Sequence, residues 1–253
     1  MKAIFGSAVT TLAVLGIASN AVQADHHMQA MSFAPVELFA CTFNEGKDND
    51  DLKELSKRFN KWLSKNDPGY AYWVLSPRFR AEDSKMDFAW IGSWADGAAM
   101  GSSYDNWMKD DGGVGPMFAE VMDCAYSLAS ATAIHAPEGE WPKSSVVWFS
   151  RCEQEDDVSL MEAVSAHRSS TAAMQEMGAA QSASWVFLPA LGFSDIEFDY
   201  YHVQSWPSYA ALGSGFDAYF NRGGWKSQAE ALADKVECSS PNLYDSSLMH
   251  APE

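Results

Sequence analysis

The chain has 253 residues, 47% of them apolar and 13% aromatic, and its 34 acidic against 17 basic side chains give a formal charge of -17. That much apolar surface can bury a core the size of one or two ordinary domains. A surface this acidic repels phosphate backbones and anionic lipid, which argues against nucleic acid and membranes as partners.

At the N-terminus stand a basic residue, Lys2, an apolar run over 8–17, and Ala-Val-Gln-Ala ending at Ala24, the pattern of a cleaved signal peptide over residues 1–24. The run is too short to span a bilayer, so the expected destination is the periplasm or the outside of the cell. Residues 25–34 form a lead-in without periodicity. If cleavage follows Ala24, the mature chain begins Asp25-His26-His27, whose amine, backbone nitrogens and imidazole can chelate Cu(II) or Ni(II) in a plane; an unstructured tail with incidental histidines is the plainer alternative.

Residues 36–43 are β-rich, bounded by Pro35 and Asn44-Glu45-Gly46, and predict a strand. Leu52, Leu55, Phe59, Trp62 and Leu63 then share one helical face, with Asp50 as a cap and Asp67-Pro68-Gly69 as a stop. Strands are expected over 70–76 and 86–94, helices over 96–109 and 116–122, and a last strand over about 125–134. The order is strand, helix, strand, strand, helix, strand. A short linker over 138–144 follows, and residues 145–253 repeat the order, with the final strand near 243–249.

The repeat is carried by ordered landmarks. Cys41 matches Cys152, Trp73 matches Trp185, Asp87 matches Asp199, Trp94 matches Trp206, Cys124 matches Cys238, and His135-Ala-Pro-Glu matches His250-Ala-Pro-Glu, with an offset that drifts only from 111 to 115. Four cysteines at repeated positions, without CxxC spacing, read as disulfides rather than metal ligands in an oxidising compartment. Of the three possible connectivities, the duplication selects Cys41–Cys124 and Cys152–Cys238, because a unit that once existed singly could pair only its own two cysteines. Each bridge is then worth about 4 kcal/mol in the chain-entropy account of loop closure.

The element order is that of the split βαβ, or ferredoxin-like, unit. Two such units, 35–137 and 145–253, can close on each other as a pseudo-symmetric α+β barrel within a monomer. In this the chain resembles the dimeric α+β barrel superfamily, which includes antibiotic-biosynthesis-type monooxygenases, muconolactone isomerase-like and stress-responsive barrel proteins. The resemblance rests on element order and covers the whole mature chain; it implies a pocket between sheet and helices, and it brings no catalytic motif residue by residue.

Candidate chemistry comes from comparing the copies. On one face of the third strand, Phe88, Trp90, Gly92 and Trp94 in the first copy correspond to Tyr200, His202, Gln204 and Trp206 in the second. His167 falls on the sheet-facing stripe of the second copy's first helix, with Arg168 beside it. If these groups converge, His202, Tyr200 and His167 are the expected catalytic set for proton transfer, with Gln204, Arg168 and Trp206 holding substrate in an aromatic pocket of the second copy. The plainer alternative is that the histidines are satisfied core residues. Asp87 and Asp199 occur in both copies and predict structural hydrogen bonds, while Asp96 and Ser208 predict helix caps. No HExxH, GxSxG, phosphate loop or Rossmann turn is present. The reading is a secreted barrel protein with no cofactor and no metal, an acid–base enzyme (isomerase, lyase or monooxygenase type) on a small organic molecule or sugar chain, or else a non-catalytic small-ligand-binding or structural protein.

Overall fold

A computed structural model describes residues 31–67, 69–81, 85–110, 113–136, 141–194 and 196–252. The expected signal peptide, the expected Asp25-His26-His27 chelate and part of the expected linker lie outside them.

The first half runs β1 (Ala34–Phe43), α1 (Asn49–Asn66), β2 (Ala71–Phe79), β3 (Phe88–Ser93), α2 (Gly97–Met108), α3 (Gly115–Val121) and β4 (Met122–His135). The second runs β5 (Ser144–Gln154), α4 (Leu160–Glu176), β6 (Ala183–Leu191), β7 (Tyr200–Trp206), α5 (Tyr209–Phe216), a π-helical turn (Asp217–Asn221), α6 (Gly224–Leu232), β8 (Val236–Cys238) and β9 (Asn242–His250). Local chemistry sets the boundaries in matched fashion. Asp48 caps α1 in a capping box with Asp51, and Ser159 caps α4 in a capping box with Glu162. The cap of α1 is thus Asp48 rather than Asp50, because only the former places its carboxylate outside the first turn. Asp96 and Ser208 cap α2 and α5. Asp87 accepts from the Phe43 backbone and Asp199 from that of Gln154, the same bond in each half.

The strands are joined in the order β4-β1-β3-β2-β9-β5-β7-β6, and β6 pairs with β4 to close an eight-stranded antiparallel barrel; β8 continues the line of β9 along β5. The halves therefore meet edge to edge through β2–β9 and β4–β6, so no long edge is left unpaired along these strands. Pleat alternation then sorts the side chains. Val36, Leu38, Leu75, Val147, Phe187 and Val203 fill one cluster, while Phe39, Cys41, Trp90 and Phe88 face α1 and α3 in another. Cys152, Val164, Val186 and Tyr200 form the corresponding layer under α4. The bridges are Cys41–Cys124 and Cys152–Cys238, closing 83 and 86 residues. No described helix is long and apolar enough to cross a membrane.

Candidate functional site

A cavity of about 800 Å³ lies between the outer face of β1–β3 and the helices α1–α3 of the first half. This cavity lies in the first half, whereas the sequence predicts an aromatic pocket in the second. None of His167, Arg168, Tyr200, His202, Gln204 or Trp206 lines this cavity.

Its polar centre is built on β1. Because Val36 and Leu38 turn into the barrel, Glu37 and Phe39 turn towards the helices, and Glu37 stands opposite Gly92 of β3. A Cβ on residue 92 would collide with the Tyr70 hydroxyl and the Glu37 carboxylate, so glycine is what allows them to meet. The Tyr70 hydroxyl donates to Glu37 Oε1 and accepts from Trp90 Nε1 at 2.8 Å; the Tyr104 hydroxyl donates to Glu37 Oε2 at 3.1 Å. A second carboxylate, Asp67 at the end of α1, accepts from the Ser103 hydroxyl and from Trp94 Nε1 at 3.3 Å.

Aromatic rings make up most of the wall. Phe59 and Trp62 come from α1, Tyr104 and Trp107 from α2, and Phe118 from α3, while Tyr72 stacks behind Trp90 with centroids 4.1 Å apart. Exposed Tyr104, Tyr126 and Leu191 mark the mouth. Among the described lining residues Glu37 and Asp67 are the charged ones; Lys, Arg and His are absent.

Burial dominates the electrostatics of Glu37. It is 7% exposed, and loss of water pushes its carboxyl up to about 7, against the opposing hydrogen bonds from Tyr70 and Tyr104 and with Asp67 adding to the rise. A carboxyl poised there can give or take a proton near neutral pH. The Tyr70 hydroxyl is raised well above its ordinary value, first by burial and then by the Glu37 charge, so it acts as a hydrogen-bond donor.

In the second half the groups singled out from sequence do meet. His167 and His202 stack with ring centroids 4.1 Å apart, and His167 Nε2 lies 2.9 Å from the Tyr200 hydroxyl. Burial lowers His167 to about 4, and burial followed by the neighbouring His167 takes His202 well below the ordinary imidazole value. Both rings are therefore neutral at pH 7. His202 Nε2 is sealed from solvent without a hydrogen-bond partner among the described residues. Gln204 donates to Ser182, Trp206 packs edge-on against Trp148, and Arg168 binds the carbonyls of Ile134 and Ala133. These contacts are with the protein's own side chains and backbone. The ligand atoms of Cys152, Cys238 and His167 lie within 4.8 Å of one another, but the two sulfurs are joined in the disulfide and offer no thiolate.

Glu37 escaped sequence reasoning, which compared the copies at the third strand and the first helix. The signal lay on the first strand. There the alignment of Cys41 with Cys152 sets Glu37 against Trp148, and their strand partners are Gly92 and Gln204. The large Trp148 and Gln204 fill in the second half what Glu37, Gly92 and the cavity occupy in the first.

No family profile and no curated protein matches the chain. Solved structures do match over most of its length. A chlorite dismutase-like protein aligns at 12% identity, covering 86% of this chain and 95% of its own, with a TM-score of 0.52. A structure described as a monooxygenase from Fusobacterium nucleatum aligns at 10% identity over 88% and 94%, with a TM-score of 0.53. The encapsulated DyP-type peroxidase from Mycobacterium smegmatis aligns at 11% identity over 85% and 93%, with a TM-score of 0.52. At these identities the likeness is one of fold, the α+β barrel.

Proposed function

We propose that the chain is an extracytoplasmic acid–base enzyme that binds a small organic molecule in the cavity of its first half and moves a proton with Glu37. The observation that carries this reading is a buried carboxyl with a near-neutral pKa facing an aromatic cavity, held by two phenols. In the charged form Glu37 takes a proton from bound substrate; in the neutral form it returns one, while Tyr70 and Tyr104 orient the carboxyl and the aromatic wall keeps water out. Isomerisation, elimination and cofactor-free oxygenation all require such a step. The two disulfides suit an oxidising compartment. Two tandem ferredoxin-like units in one monomer account for the strand order.

Peroxidase chemistry, as named for one fold neighbour, uses haem iron held by a proximal histidine. The cavity does not fit that group. Its described wall has neither imidazole nor thiolate, its two carboxylates oppose porphyrin carboxylates, and no basic side chain meets them. No step is assigned to haem.

The test is an unbiased substrate screen with Glu37→Gln as control. Turnover should fall by at least about a hundredfold, the lower range for loss of a general acid–base group. Full activity in the variant would refute the assignment. A second reading places proton transfer at His202, Tyr200 and His167, and their direct stacking favours it; activity lost in His202→Phe but kept in Glu37→Gln would select it. Tight ligand binding with no turnover of any compound would instead select the non-catalytic binder.

A further inference from the structure

The geometry points to an organic cation, a methylated ammonium carried on an apolar body, as the ligand of the first-half cavity. This deepens the reading of that cavity as the site and rests on it.

The described wall of the cavity carries two carboxylates and no basic group. Glu37 is 7% exposed and Asp67 is 9% exposed, and no basic residue among the described lining residues stands against either. A neutral apolar ligand would exclude water from both carboxylates and leave them without a countercharge, which is costly in a low-dielectric site. An anion would add repulsion. A cation removes the problem by supplying the missing partner itself.

The rest of the wall is of the kind that attracts positive charge. Trp90, Trp94, Trp107 and Tyr104 line the same space as the two carboxylates. The face of an indole or phenol ring is negative, and a desolvated cation over such faces gains about 2 kcal/mol or more. Hydrogen bonding then selects among cations. Each carboxylate is already engaged, Glu37 by Tyr70 and Tyr104, Asp67 by Ser103 and Trp94, so few acceptor positions remain for the three N–H groups of a primary ammonium. A methylated nitrogen has few or no N–H groups to satisfy and spreads its charge over methyl groups that pack on rings. At about 800 Å³ the space also exceeds a bare tetraalkyl head, so the ligand carries an apolar or aromatic body besides.

The test compares three probes with one shape by calorimetry on the full-length protein: benzyltrimethylammonium, its neutral carbon isostere neopentylbenzene, and the anion benzylsulfonate. Near pH 8 the cation should bind about tenfold or more tightly than the isostere, and the anion should not bind. That preference should shrink below about threefold in Glu37→Gln and in Asp67→Asn. Either variant suffices if the other fails to fold. Below pH 7 cation binding should release a proton from the wild type and none from Glu37→Gln, which a change of buffer ionisation enthalpy reads directly. Equal or tighter binding of the isostere, binding of the anion, or no cation binding at millimolar concentration would overturn the inference. The outcomes separate it from the proton-transfer reading: a neutral substrate turned over by the wild type but not by Glu37→Gln, without cation preference, sinks the ligand class alone. Cation preference without turnover of any compound sinks the enzyme and keeps the ligand class.

Discussion

Glu37 and the His167–His202 pair are both shifted by burial, and because one is an acid and the others are bases, their effects on stability run in opposite directions. Glu37 has its pKa raised in the folded state, so its contribution is fully present below the ordinary value of 4.5 and is lost as pH rises through about 7, a change on the order of 3 kcal/mol. His167 has its pKa lowered, so its contribution is present above 6.5 and is lost as pH falls towards about 4. Between these limits the two offset each other in the wild type. Urea unfolding from pH 4.5 to 7.5 should therefore show Glu37→Gln gaining on the wild type at the alkaline end and losing that advantage at the acid end; a difference independent of pH would mean that Glu37 is not desolvated. His202→Phe removes an imidazole nitrogen buried without a partner and keeps a ring against His167. It should stabilise the fold near pH 7 by about 1–3 kcal/mol and flatten the acid limb, because an unsatisfied buried polar atom costs that much.

The site at the level of elements is an exchange of volumes between equivalent strands. In the first half Gly92 leaves space that Tyr70 and Glu37 fill with polar atoms; in the second, Gln204 bonds to Ser182 and Trp148 takes the place of Glu37. Gly92→Ala should consequently separate Tyr70 from Glu37, cost about 1–3 kcal/mol as an overpacked core position, and, by removing a hydrogen bond that holds the Glu37 carboxyl down, raise its pKa further and enlarge its contribution to the pH profile. Stability equal to the wild type in thermal unfolding would show that the pair tolerates the methyl group. The same exchange explains what was legible in advance. Periodicity and turn residues located the strands to within a few residues, since Asn44-Glu45-Gly46 and the capping residues act locally. The convergence of His167 on Tyr200 and His202 was legible too, because a helical stripe over a strand face is a short-range inference. Where the open space lies was not. That depends on Trp148 filling one half and Gly92 hollowing the other, a balance of volumes across three strands and three helices that no single-element pattern carries.

Closure of the barrel is the property of the whole molecule, and it depends on edges that neither half can satisfy alone. The ordered landmarks made a closed α+β barrel legible, but not the edges along which it closes. The structure closes it by hydrogen bonding along two seams, β2 with β9 and β4 with β6. These seams correspond in strand order, since β9 comes last in the second half as β4 does in the first, and β6 follows the first helix as β2 does. Each half thus carries one edge of each kind, and an isolated half is complementary to a second copy of itself. Residues 35–137 expressed alone, with the Cys41–Cys124 bridge intact, should therefore form a homodimer through two β2–β4 seams. Burial of the Val36, Leu75 and Ala131 face supplies the driving force, at about 25 cal/mol per Å² of apolar area removed from water. Sedimentation equilibrium decides the matter. A dimer that binds two equivalents of a cation recognised by the full chain would show that the cavity belongs to the half and the closure to the pairing. A folded monomer would mean that the seams are not required, and an aggregate that edge strands β2 and β4 cannot find the register that β9 and β6 provide.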